Sequence, residues 1–218
     1  MESQSNWTGV RERVQAVVGV FEPVLTAEEI AEVEAQYGVT LPAEYRSFLA
    51  EVGAGGPGPE FRLMSLRQVD GNWGWVYTGG LQLIPLNPSG PFIETEDWAD
   101  HQLAALRATG HEPTVRDEHE DYLNDYYTAF GADAERRWAE DRDRGSIVIS
   151  DSGCGMTSYL IVVGPCRGEL RDRDVGSNSD YVPIVDGQGR RHNFRSWYLE
   201  WLERRERETL GPTGSAVS

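Results

Sequence analysis

Apolar side chains recur at three- and four-residue intervals in several parts of the chain, and each recurrence predicts a helix. Val10, Val14, Val17 and Val18 place a short one over residues 10–20. In LTAEEIAEVEAQYGV, Ile30, Val33 and Tyr37 fall on one face. Thr26 and Glu29 have the spacing of a capping box, in which each side chain satisfies an amide left open by the first helical turn. Gly38 supplies the left-handed stop. LPAEYRSFLAEVG repeats the logic. Pro42 sits in a first turn, where a missing N–H loses no hydrogen bond. Tyr45, Phe48, Leu49 and Val52 make the stripe, and Gly53 ends it.

The pattern then changes. GAGGPGPE (53–60) reads as a turn, followed by strand-like FRLMSL, WGWVY and LQLIPL and a loop over 87–100. Helical periodicity returns at about 97–108 and 118–142. SIVIS (146–150) and SYLIVV (158–163) are rich in β-branched and aromatic residues between glycines, the mark of buried strands. GELRDRDV and YVPIV add two weaker strand signals. The last helix, in FRSWYLEWLE, follows Asn193 as N-cap and carries Phe194, Trp197, Trp201 and Leu202 on one face. Helices first, then strands, then a closing helix predict an α+β fold: a helical N-terminal hairpin packed on a mixed or antiparallel sheet.

LTAEEIAEVEAQYGVTLPAEYRSFLAEVGAGG resembles the opening motif of the SUKH superfamily, which includes the Smi/Knr-type regulators of cell-wall synthesis. The matching positions are Ile30, Glu34, Gly38, Leu41, Pro42, Tyr45, Phe48, Leu49, Gly55 and Gly56. SIVISDSGCGMTSYLIVV is similar to the family's central hairpin and NFRSWYLEWLE to its closing helix. The likeness covers about 26–66, 145–163 and 193–203 and leaves out 90–144. It implies an α+β fold and, in bacteria, an immunity protein that binds and neutralises a toxin. It implies no catalytic set. The expected organisation is one domain over 1–210 with an acidic helical insertion at about 90–144, and a disordered tail at 211–218.

The formal net charge of −16 excludes binding that rests on basic contacts to nucleic-acid phosphates or anionic lipid. It favours a basic protein partner, steered by the field of the whole chain. No segment has the 18 or so apolar residues of a membrane span, and MESQSNWTGV lacks the basic end and apolar stretch of a secretion signal. Two cysteines, Cys154 and Cys166, are then expected to be reduced and cytoplasmic. All 20 basic residues are arginine.

Residues 94–144 hold nine of the sixteen net negative charges. Within that stretch, around DEHEDYLNDYY (117–127), Leu123, Tyr126, Tyr127 and Phe130 form an apolar stripe, while Glu118, Asp121 and Asp125 project from another side at three- and four-residue spacing. The helix therefore has an acidic face, either solvated or recognising a basic partner. Paired carboxylate catalysis would need opposed placement across a cleft, which one face does not give. If the face recognises a partner, Glu118, Asp121, Asp125 and neighbouring Tyr122 carry it.

Other candidates are weaker. His111-Glu112 and His119-Glu120, with Asp117 and Asp121 nearby, lack the two-histidine spacing of a helical zinc motif. Cys154 stands in a glycine turn, but none of the four histidines is near it in sequence. GAGGPGPE lacks the lysine and hydroxyl of a phosphate loop. Trp73 and Trp75 alternate, so both point to one face of a strand, into the core or toward a partner. No cofactor or metal is expected. The expected function is non-enzymatic capture of a basic toxin domain. Its rivals are a regulatory protein-binding module and an enzyme using Cys154 or the His/Glu cluster.

Overall fold

A computed structural model of the protein describes residues 7–77, 80, 82–93, 104, 107–108, 110, 143–174 and 181–210. Three helices come first: α1 (Val10–Val17), α2 (Ala27–Tyr37) and α3 (Ala43–Glu51). Strands β1 (Arg62–Leu63), β2 (Ser65–Val69) and β3 (Asn72–Val76) precede the insertion; β4 (Ser146–Gly153), β5 (Met156–Ile161), β6 (Leu170–Asp174) and β7 (Val182–Pro183) follow it. Helix α4 (Phe194–Leu210) closes the order. Among the described residues β1-β4-β5-β6-β7 form one sheet and β2-β3 a separate hairpin. Every pairing is antiparallel, so the fold is α+β as expected.

The helix ends follow the local chemistry. Thr26 N–H donates to Glu29 Oε2 (2.8 Å) while Glu29 N–H donates to Thr26 Oγ1 (3.2 Å), the reciprocal capping box. Gly38 is left-handed (φ 66°). Glu34 locks the corner that follows: its Oε1 accepts from Leu41 N–H (2.9 Å) and its Oε2 lies 3.5 Å from Arg46. At α4, Ser196 N–H donates to Asn193 Oδ1 (2.8 Å), confirming the N-cap. Helix α1 is shorter than the periodicity indicates: it stops at Val17, and Val18 is exposed.

Phe48 is the hub of the core. Trp7 packs edge-on against it (5.2 Å between centroids), as does Phe194 (5.0 Å), and Tyr198 lies at 4.9 Å. Two of the buried aromatic donors are paired, as burial favours: Trp75 Nε1–H donates to Tyr45 Oη (2.8 Å), and Tyr198 Oη–H to the Pro57 carbonyl (2.7 Å). Ile147, Leu160 and Leu170 share one row across the sheet; Val148, Tyr159 and Arg171 form the next, on the opposite face. Both rows are buried. That is why SIVIS and SYLIVV read as continuous apolar runs and not as alternation.

The structure extends one sequence expectation and corrects two. GAGGPGPE forms no helix or strand, as expected, but it lies inside the protein, since Gly53 to Pro59 are buried. A Cβ on Gly53 would meet Phe21 Cβ at 2.8 Å, and one on Gly55 would meet Ser65 Cα at 2.8 Å, so these glycines let three backbone segments approach. Gly53 therefore does not stop α3 through a left-handed turn; the cap is Val52 in right-handed geometry. Among its described residues LQLIPL forms no strand beyond an isolated bridge from Val76 to Leu83, in keeping with Pro85, which has no amide hydrogen to donate to a ladder.

The far sheet face brings the segments around Phe92 and Gly145 together. Phe92 N–H donates to the Val163 carbonyl (3.0 Å) and Val162 N–H to that of Gly145 (2.7 Å). A Cβ on Gly145 would collide with the Phe92 backbone nitrogen. Beside them Tyr181 packs edge-on against Tyr159 and Phe92. Arg173, 7 % exposed, pairs with Asp143 (2.7 Å), which also accepts from Tyr181 Oη–H (2.6 Å). Residues 104, 107 and 108 are helical. The expected helix at 118–142 lies outside the described residues.

Candidate functional site

Residues 21–25 run beside 53–55 because the glycines there leave room for a second backbone. Glu22 N–H donates to Gly55 O (3.1 Å), Ala54 N–H to Pro23 O (3.0 Å), and Leu66 N–H to Ala54 O (2.7 Å). This stitches the 21–25 segment to β2 and leaves a groove of about 460 Å³ bounded by α2 and the β2-β3 hairpin. Its floor is apolar, built from Leu25, Leu66 and Trp73; its rim carries Glu22, Glu29 and Glu32.

Each rim carboxylate is held by one oxygen. Glu22 Oε1 accepts from the Ser65 hydroxyl, Glu29 Oε2 from Thr26 N–H, and Glu32 Oε2 from Trp73 Nε1–H (2.9 Å). The hairpin is docked further by Gln36, whose side chain accepts from Trp73 N–H (2.8 Å) and donates to the Trp73 carbonyl. Among the described residues none of the three glutamates has an ion-pair partner. Arg67 also lines the groove, but its guanidinium donates to the Gly80 carbonyl, and its Nε is buried without a partner. The groove thus has fixed acidic groups over a greasy floor. That suits it to bind a group with an apolar part and a cationic part.

The two alternating tryptophans divide the roles that the sequence left open. Trp75 is core, bonded to Tyr45. Trp73 is 6 % exposed and forms part of the groove floor. Glu118, Asp121, Tyr122 and Asp125 lie outside the described residues, as do His111, Glu112, Asp117, His119 and Glu120. Cys154 is exposed at the β4-β5 turn in a left-handed conformation (φ 52°). His192, the one histidine among the described residues, is engaged on α4 by Ser196 (2.9 Å) and Glu200 (3.2 Å). Cys166 accepts from Arg171 (3.3 Å), and burial pushes its thiol pKa up, away from a reactive thiolate. Among the described residues no group of three or more His, Cys, Asp or Glu side chains could hold a metal ion, and no helix is long and apolar enough to cross a membrane.

Sequence reasoning missed the groove because its parts come from three segments with no shared spacing. The local signal was Glu29 and Glu32 at i and i+3, an acidic pair on α2.

No curated protein and no solved structure matches the chain. The sequence pattern of the SMI1 / KNR4 family (SUKH-1) matches residues 24–191. The match takes in α2, α3 and the strands, begins just past Glu22 of the groove rim, stops short of α4, and covers well over half of the chain, which therefore belongs to the SMI1 / KNR4 (SUKH-1) family.

Proposed function

We propose that the chain is a non-enzymatic protein-binding domain that neutralises a basic toxin domain made by the same or neighbouring cells. The observation that carries this reading is the rim of the groove, where three glutamates stand over Leu25, Leu66 and Trp73 and, among the described residues, form no ion pair. Membership of the SMI1 / KNR4 family supports it. The mechanism has two parts. Net charge of −16 draws a basic partner in and speeds encounter. Apolar and aromatic contacts then slow release, where most affinity differences arise.

On this reading the chain over 1–210 works as one domain that includes the acidic insertion at about 90–144. Glu118, Asp121 and Asp125 steer, and Tyr122 contacts. The toxin would be occluded and not chemically altered.

The test is a growth-protection assay. Each open reading frame flanking the gene is expressed with and without this protein. A neighbour that kills alone and is harmless in company identifies the partner. If no neighbour is toxic but one co-purifies with the protein, the domain is a regulatory binding module and the immunity reading falls.

A further inference from the structure

We infer that the groove between α2 and the β2-β3 hairpin is a socket for one long cationic side chain, an arginine or lysine projecting from the partner. This rests on the protein-binding reading above, since a partner must deliver the side chain. It goes further by naming what enters.

The argument begins with the shape of an arginine or lysine. Such a side chain has an apolar stem and a charged tip, and it is best placed where the stem lies on apolar surface while the head meets carboxylates. The groove has that order: Leu25, Leu66 and Trp73 beneath, Glu22, Glu29 and Glu32 above. An exposed ion pair contributes little, partly because two mobile chains must be ordered. Here one side is ordered already. Ser65, the Thr26 amide and Trp73 Nε1–H each hold one oxygen of a different glutamate. The second oxygen of each has no protein hydrogen bond among the described residues. A bound cation therefore orders little that is not ordered before it arrives.

Charge balance selects the occupant. Three carboxylates and Arg67 leave the rim with two net negative charges. An anionic side chain would lose solvation and face the glutamates. A neutral apolar one would fill the floor but leave the carboxylates poorly solvated and unpaired. A cation satisfies both. Arg67, committed to the Gly80 carbonyl, does not occupy the place.

The experiment uses the full ¹⁵N-labelled chain and three capped tripeptides, Gly-Arg-Gly, Gly-Lys-Gly and Gly-citrulline-Gly. Citrulline keeps the shape of arginine and lacks its charge. The reporter is the indole Nε1–H signal of Trp73, assigned by its disappearance in Trp73→Phe. Arginine and lysine peptides should shift it saturably with a Kd of roughly millimolar order, and citrulline should bind roughly tenfold more weakly. Glu22→Gln/Glu32→Gln should weaken the arginine peptide and leave citrulline unchanged. Equal titrations by arginine and citrulline, or a Trp73 signal that arginine does not move, would overturn the inference. The comparison among peptides uses the unaltered chain, so a poorly folded variant does not blunt it. A chain that binds arginine but protects no cell keeps the socket and loses the immunity role. One that protects cells but ignores arginine keeps the role and loses the socket.

Discussion

Trp73 on β3 donates its indole N–H to Glu32 on α2 at 2.9 Å, and that bond joins the floor of the groove to its rim. The indole is almost fully buried. Removing its acceptor leaves a donor unsatisfied, which costs about 1–3 kcal/mol. Glu32→Ala should therefore lower stability by about that much in urea unfolding. Glu28→Ala, on an exposed α2 residue outside the groove, should change it by less than about 0.5 kcal/mol. Equal effects at the two positions would show that the bond adds nothing.

The capping box makes a second, separable prediction. Thr26→Ala removes the acceptor for Glu29 N–H and should cost about 1 kcal/mol. It leaves Thr26 N–H in place to hold Glu29 Oε2, so the rim keeps its geometry. Partner or peptide affinity should then stay within about twofold even as the melting temperature falls. A loss of affinity as large as that in Glu32→Ala would place the helix end, and not the carboxylates, in control of binding.

Two carboxylates predict opposite pH slopes. Burial raises the Asp172 pKa above its usual value, with Ser158 only partly offsetting the effect. A raised acid gives the folded state stability that is full below the unfolded pKa and is lost as pH rises through the folded one. Asp172→Asn should therefore be more stable than the parent at neutral pH, the gain shrinking as pH falls through the raised Asp172 pKa and vanishing below the ordinary carboxylate value. Glu206 is lowered by its hydrogen bond and charge pairing with Arg13 on α1. Its contribution is present above the unfolded pKa and lost as pH falls through the folded one. Glu206→Gln should thus destabilise slightly at neutral pH and match the parent in acid. Unfolding midpoints measured from pH 3 to 7 for both variants check the two signs.

How much of this was legible depends on where each signal lay. Thr26, Glu29, Gly38 and Asn193 act within four residues of themselves, so the α2 and α4 boundaries could be read directly. Gly53 and Gly55 look the same in sequence whether they turn a chain or admit another. Only the approach of Phe21 and Ser65 distinguishes the two. Strand β6 was a weak signal because its buried row is arginine: Arg171, 1 % exposed, packs over Phe92 and pairs with Glu169. Alternation of charge with charge carries no inside and outside. The acidic groove was hidden for a third reason, since Glu22, Glu32 and Trp73 meet only after the hairpin docks on α2.

Asp143 should prove structural, although it belongs to the acidic stretch. It pairs with a nearly buried Arg173 and accepts from Tyr181. Removing one partner of a buried pair leaves a charge uncompensated and costs about 3–5 kcal/mol. Asp143→Ala should destabilise by about that amount, near the lower bound because Asp143 itself is partly exposed. A loss under about 1 kcal/mol would mean that water replaces it freely.

The insertion itself gives the last prediction. Phe92 and Gly145 touch through their backbones, so the chain leaves and returns at one place on the sheet. Replacing residues 94–142 by a short glycine-serine linker should therefore leave a domain that unfolds cooperatively, since closing a shorter loop between the same ends costs no extra entropy. Phe92 and Asp143 must be kept, because Tyr181 packs on one and bonds the other. The shortened chain also tests where recognition lies. If the steering carboxylates are Glu118, Asp121 and Asp125, both the deletion and charge reversal at those three positions should slow partner association and flatten its dependence on salt, as expected for steering. Dissociation should change less in the charge-reversal variant, because the groove remains. Stopped-flow association at two ionic strengths separates the outcomes. A shortened chain that associates as fast as the parent, with the same salt dependence, would assign recognition to the groove alone and leave the acidic stretch without a part in binding.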